Sequence, residues 1–132
     1  MQRLSCIRLK WEFQPSGRSH LCGHVLVADA DGKREVFAGS YTHSIYCLDG
    51  ANGLVIWSYE VEGGVVGCDC ITLADADGDG KLELIFGTEP NPTLYVLRTE
   101  RKPARRVMWR RELVGAFVAG GIATFSKSID AR

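Results

Sequence analysis

Three tryptophans set the register of this chain. Trp11 stands in Arg-Leu-Lys-Trp-Glu-Phe, Trp57 in Val-Ile-Trp-Ser-Tyr and Trp109 in Val-Met-Trp-Arg-Arg. Asp29 follows Trp11 by 18 residues, and Asp75 follows Trp57 by 18. The same step from Trp109 reaches Lys127, where the acidic landmark is missing. Gly39 recurs as Gly87, Tyr46 as Tyr95 and Leu48 as Leu97. The first two tryptophans are 46 residues apart and the next two 52. So many landmarks in one order read as an internal repeat. A period of that length restricts the chain to an array of small supersecondary units, none able to bury its apolar face alone.

Within each period, short apolar runs alternate with turn residues. The first unit reads as strands over 24–28, 35–38, 44–48 and 54–61, the second over 70–74, 82–86, 93–97 and 106–113. Val, Ile, Tyr, Phe and Trp dominate these runs, and Gly, Asn, Asp and Pro punctuate them. The runs are too short for helices, and no helical periodicity of useful length is present. The glycine-rich stretch 63–67 reads as a turn between units.

Four short strands per unit of roughly 40–50 residues is the pattern of a β-propeller blade. The expected fold is therefore all-β: two complete four-stranded blades, at 24–62 and 68–114, within one propeller segment covering 1–132. Residues 4–13 read as the last strand of a preceding blade, and 115–126 as the first strand of a following one. Two and a half blades do not close a ring. The expectation is a partial propeller, completed by the remaining blades of a longer protein or by further copies of this chain.

The most chemically specific stretch is Asp75-Ala-Asp77-Gly-Asp79-Gly-Lys81-Leu-Glu83. Alternate side chains of a curled loop point inward, so Asp75, Asp77 and Asp79 can supply three oxygen ligands. The Lys81 carbonyl would be the fourth and Glu83 would close the cage, while Gly80 permits the sharp bend. An all-oxygen set suits Ca²⁺ better than Mg²⁺, which needs a small octahedral site and keeps its waters. One structural calcium site is expected; a solvated acidic turn is the alternative. The earlier Asp29-Ala-Asp31-Gly-Lys33-Arg34-Glu35 is two residues shorter and lacks the third acid. It reads as an ordinary turn whose carboxylates are partly offset by Lys33 or Arg34.

Lys plus Arg and Asp plus Glu each number 16, which argues against a dedicated nucleic-acid binder. Arg101, Lys102, Arg105, Arg106, Arg110 and Arg111 nevertheless cluster. They read as a solvated loop and strand face, with a site for an acidic partner or sulfated glycan as the alternative. No stretch has the ~18–20 apolar residues of a membrane span, and the N-terminus has no apolar core of signal-peptide length. Five cysteines fit no zinc spacing; Cys47, Cys68 and Cys70 sit in apolar runs and read as buried thiols. His20, His24 and His43 read as turn and strand-edge residues.

The run Leu-Ala-Asp75-Ala-Asp-Gly-Asp-Gly-Lys-Leu-Glu-Leu-Ile-Phe86-Gly87-Thr88 resembles the FG-GAP repeat, the blade unit of integrin α-subunit propellers and of many bacterial secreted proteins. The resemblance covers about residues 24–113. It implies calcium at Asp75, Asp77, Asp79, Lys81 and Glu83 on the rim of a ring, and an extracellular or cell-surface setting. The shortened first loop departs from the family pattern. A second stretch, Ile45-Tyr-Cys-Leu-Asp49-Gly-Ala-Asn-Gly53-Leu-Val-Ile-Trp57, is similar to the repeat of pyrroloquinoline-quinone propellers. Cys47, Asn52 and Leu54 stand there for the usual Ala, Thr and Lys. That resemblance implies a tryptophan docked between blades; it does not imply the quinone.

No nucleophile elbow, phosphate-cradling glycine loop or metal-plus-base motif is present in the sequence. The expected function is a non-enzymatic scaffold that binds a protein or carbohydrate ligand. The alternatives are part of a quinoprotein-like dehydrogenase or polysaccharide lyase, and a small lectin-like protein that completes its ring by oligomerising.

Overall fold

The computed structural model describes residues 6–15, 21–30, 32–41, 43–61, 65–89 and 93–112, with backbone alone at 22–24, 65–70 and 89. The strand expected at 115–126, His20, Asp31 and the side chains of Cys22, His24, Cys68 and Cys70 lie outside what is described. The described residues are all-β, with no helix among them.

Eight strands form two antiparallel four-stranded sheets, each in simple sequence order. The first sheet holds β1 (Leu21–Asp29), β2 (Arg34–Ser40), β3 (Ser44–Asp49) and β4 (Val55–Glu60). The second holds β5 (Val65–Ala74), β6 (Glu83–Glu89), β7 (Thr93–Arg98) and β8 (Val107–Glu112). All eight overlap the runs read from the sequence, but two begin several residues earlier: β1 at Leu21 rather than 24, and β5 at Val65, taking in Val65–Gly67 where a turn was expected. Val65 and Val66 pair with Glu89 and Thr88 beyond a register irregularity that ends at Ile71. The glycine and polar residues of this stretch hide the strand, because a bulge breaks the alternation that marks one.

The two sheets correspond pair for pair. Cys47 opposes Trp57 in the first and Val96 opposes Trp109 in the second. A register shift follows at the next residue in both, between Cys47 and Leu48 and between Val96 and Leu97. The first and second strands of both sheets also share an irregularity toward the start of the first strand.

The core lies between the sheets. Phe37, Ile45, Cys47 and Trp57 of the first face Ile71, Leu84, Phe86, Tyr95 and Leu97 of the second. Residues directly opposite across a ladder share a face, so Phe37, Cys47 and Trp57 must project together. Strand β5 approaches β1, β2 and β3, whereas the outer strands are not in backbone contact across the gap. Large rings fill the wider, outer part: Trp57, and Tyr59 edge-on to Tyr95 with centroids 6.0 Å apart.

Two indoles fix the stacking. Trp57 Nε1 donates to the Thr99 carbonyl at 3.2 Å, from the first sheet to the loop after β7. Trp11 Nε1 donates to the Gly50 carbonyl at 3.0 Å, in the matching loop after β3. Phe13 then meets Tyr46 edge-on at 4.9 Å, as Tyr59 meets Tyr95. Residues 6–15 thus lie on the outer face of the first sheet as β4 lies on the second. They form no ladder with a described strand. Apolar Ile7, Leu9, Trp11 and Phe13 alternate with Arg8, Lys10, Glu12 and Gln14, but residues 6–15 form no strand: of the four apolar side chains only Trp11 and Phe13 are partly buried, and Ile7 and Leu9 are exposed.

The loop after β3 is held by its own side chains. Asp49 Oδ1 accepts from the Ala51 N–H at 2.7 Å and Asn52 Oδ1 from the Leu54 N–H at 2.9 Å. Gly53 closes it at φ +76°, and a Cβ there would overlap the Trp11 ring. Gly53→Ala is therefore expected to cost about 1–2 kcal/mol in backbone strain alone and to lift Trp11 off the sheet. Thermal unfolding and a red-shifted Trp11 emission in a Trp57→Phe, Trp109→Phe background check this; unchanged emission would show that the ring is seated elsewhere.

Candidate metal centre

The β5–β6 connection brings four carboxylates together. One oxygen from each of Asp75, Asp77, Asp79 and Glu83 lies within 4.8 Å of the others. The local sequence dictates this curl. Asp75 Oδ1 accepts from the N–H groups of Gly78 at 2.8 Å and Asp79 at 3.0 Å, and Oδ2 accepts from Gly80 at 2.7 Å. Asp77 Oδ1 accepts from Asp79 N–H, and Asp79 Oδ1 from Lys81 N–H at 2.8 Å. Gly80 sits at φ +90°, a region costing a side-chain residue about 1–2 kcal/mol. Asp75 thus gathers the N–H groups three to five residues on, Asp77 and Asp79 each hold the one two residues on, and the chain wraps toward one centre.

Glu83 comes from the first position of β6, where it pairs with Ala74 across the ladder. That register buries it, unlike the three exposed aspartates, and its Oε1 accepts from the Ala76 N–H at 2.7 Å. The backbone N–H of Gly80, supported by those of Gly78 and Asp79, holds the Asp75 carboxyl below its ordinary range. Burial, with the charges of Asp77, Asp79 and Asp75, pushes Glu83 up. Desolvation within the loop and the Asp79 carboxylate do the same for Asp77. For two of the four acids, Asp77 and Glu83, the surroundings therefore disfavour the charged form, an effect that a bound cation would reverse. The donors are all hard oxygens, so the set fits a hard cation.

Lys81 Nζ lies 3.8 Å from Glu100 Oε2, a carboxylate outside the cluster. A cleft of about 260 Å³ opens beside the centre, lined by Ala30 and Gly32 of the β1–β2 turn and by Asp79, Lys81 and Glu83.

The matching first turn is built differently. Arg34 Nε donates to Asp29 Oδ1 at 2.9 Å, and this hydrogen bond holds Asp29 below its ordinary range. Arg34 offsets a carboxylate there, as its position in the sequence suggests. Glu35, the counterpart of Glu83, is fully buried, and Arg101 Nη2 stands 4.0 Å from it. Arg101 belongs to the loop between β7 and β8. A guanidinium from the second sheet thus serves the first sheet's carboxylate, a partnership that sequence spacing does not reveal.

Arg106 is a second residue the sequence conceals. Within a basic run it reads as solvated, yet its Nη1 donates to the carbonyls of Arg98 and Glu100 and its Nη2 to that of Arg101. Its Cζ lies 4.0 Å from the centroid of a Trp57 ring. Arg106 thus ties the β7–β8 loop together and caps the indole docked beneath it. Burial holds its pKa below the ordinary arginine value. Lys102, Arg105 and Arg111 of the same run are exposed.

Of the other candidates, His43 is an exposed turn residue at φ +70°, and Cys47 is buried; neither Cys6 nor Cys47 is in a disulfide. No helix of the described residues is long and apolar enough to cross a membrane. No family model matches the chain, and no curated protein or solved structure matches it significantly.

Proposed function

We propose that this chain is a segment of a β-propeller scaffold, with FG-GAP-like blades, whose 75–83 loop carries one structural Ca²⁺. The observation that carries the reading is the convergence of four carboxylates in a loop shaped by its own acids and by Gly80. The Lys81 carbonyl completes the proposed ligand set. Calcium rather than magnesium is proposed because the loop is open to solvent and its carboxylates can shift to give the larger ion its longer contacts. The ion's role is structural: it neutralises the cluster and pins the turn that joins β5 to β6.

Support for the propeller comes from the two matching sheets, close at β1 and β5 and wedged apart at their outer strands by aromatic rings. The Trp57 bond to Thr99 O supports the packing role implied by the likeness to quinone propellers, and says nothing for a quinone. The proposed activity is binding of a protein or carbohydrate ligand, without catalysis.

Calorimetric titration of the metal-free chain with Ca²⁺ tests the site. A binding heat with stoichiometry near one per chain, in the micromolar to millimolar range, and a weaker response to Mg²⁺ are expected. A folded sample giving no heat at millimolar Ca²⁺ would remove the ion from this reading.

A further inference from the structure

We propose that a second copy of this chain docks head-to-tail, its second sheet presenting Trp109 to the socket on the first sheet that Trp11 fills. The partner is identified by the interface already inside the molecule. Phe37, Ile45, Cys47 and Trp57 form the side of the first sheet that meets the second. The register places Ile85, Leu94, Val96 and Trp109 at the same positions of the second sheet, facing away from the first. Val96 is buried, but the face is open at Trp109, which is 45 % exposed. Trp11 and Trp57 each reach a carbonyl in the loop after a third strand, 39 and 42 residues on.

The complementary face is on the first sheet. Val25 and Val27 pair with Ala38 and Val36, as Ile71 and Leu73 pair with Phe86 and Leu84. Ile71 and Leu73 pack in the inter-sheet core, whereas Val25 and Val27 are 49 % and 58 % exposed. Second sheet to first sheet of the next copy is therefore the same step as first to second within one chain. An association of this kind is heterologous, using different patches on the two copies.

Residues 6–15 already show what the socket takes. Trp11 lies on Gly53 with its N–H on the Gly50 carbonyl, and Phe13 meets Tyr46. Ile7 and Leu9 are 100 % and 77 % exposed, so the segment is anchored by these two rings. It occupies the place of a fourth strand without the rest of that strand's sheet. In the docked pair, Trp109 replaces Trp11, and Arg111, which holds the Phe13 position, meets the Tyr46 ring, where a cation is favourable.

Sedimentation of the full chain across a concentration series tests the proposal, with far-UV circular dichroism confirming that each variant is folded. Trp11→Ala, which empties the socket, is expected to tighten self-association by about tenfold or more. Trp109→Ala, and Val27→Asp on the opposite face, should each weaken it by about tenfold or more. Because each of these retains one intact face, mixing the two should give a 1:1 dimer that grows no further. A chain that stays monomeric even as Trp11→Ala would overturn the proposal. So would association that ignores both Trp109→Ala and Val27→Asp, or variants that fail to pair on mixing although the parent associates.

Discussion

Trp57→Ala is expected to lower the melting temperature by on the order of 10–20 °C. The side chain is buried and fills the outer part of the gap between the sheets. Truncating a buried tryptophan costs about 3–5 kcal/mol when neighbours cannot collapse into the space. Collapse is resisted here, since Arg106 above the ring is fixed by three backbone carbonyls. The loss of the Trp57–Thr99 hydrogen bond and of the stacked guanidinium adds to the cost. Against a typical total of about 5–15 kcal/mol, that removes much of what holds the two sheets together. Trp57→Phe separates the parts: it keeps most of the apolar ring and loses the N–H, for about 1–2 kcal/mol. Trp109→Ala is the internal comparison, because its ring is nearly half exposed and should cost far less. Chemical denaturation of the three variants gives the ranking. A Trp57→Ala cost no larger than that of Trp109→Ala would show that the indole is not what joins the sheets.

The strands were readable because each is short, β-branched or aromatic, and bounded by residues that end a ladder. Simple alternation did not mark the central ones. In β3 the four residues from Ile45 to Leu48 are all buried, since the second sheet covers one face and Trp11 and Phe13 reach the other. Such strands read as continuous apolar runs. What failed was the start of β5, where glycine was read as a turn. Val65–Gly67 instead continues the strand across an irregularity, as Leu21 does in β1.

The acidic centre was legible because its ligands are local: the residues that set the curl are those that fill it. The charges that matter elsewhere were not legible, for the opposite reason. Arg101 meets Glu35 from another sheet, and Arg106 turns inward from a run whose composition says only that it is basic. Tertiary partnership between distant residues leaves no mark on spacing. The 18-residue step from tryptophan to aspartate has a clear physical origin, however. It spans the strand that docks forward and the first strand of the next sheet, so it links the joint between sheets to the turn that bears the acids.

That turn yields the second large effect. Saturating Ca²⁺ is expected to stabilise the chain by about 2–3 kcal/mol, the linkage value near one hundred times the dissociation constant. Asp77→Asn and Glu83→Gln should each abolish most of that increment, but their metal-free stabilities should differ. Asp77 is exposed and its carboxyl is raised by desolvation and by Asp79, so neutralising it relieves repulsion. Metal-free Asp77→Asn should be at least as stable as the parent. Glu83 is buried and accepts the Ala76 N–H. Glutamine can keep that bond through its carbonyl oxygen while removing the charge, whereas Glu83→Ala leaves the N–H without its acceptor and costs a further 1–3 kcal/mol or so. The expected metal-free order is therefore Asp77→Asn at or above the parent, Glu83→Gln near it and Glu83→Ala well below. With calcium, the parent should stand above all three. Melts in chelator and in excess Ca²⁺ read both orders. A calcium increment that survives in Asp77→Asn and Glu83→Gln would place the ion elsewhere on the chain. An unstable metal-free Asp77→Asn would mean that the charge of Asp77 strengthens the hydrogen bond it accepts from the Asp79 N–H by more than it repels its neighbours.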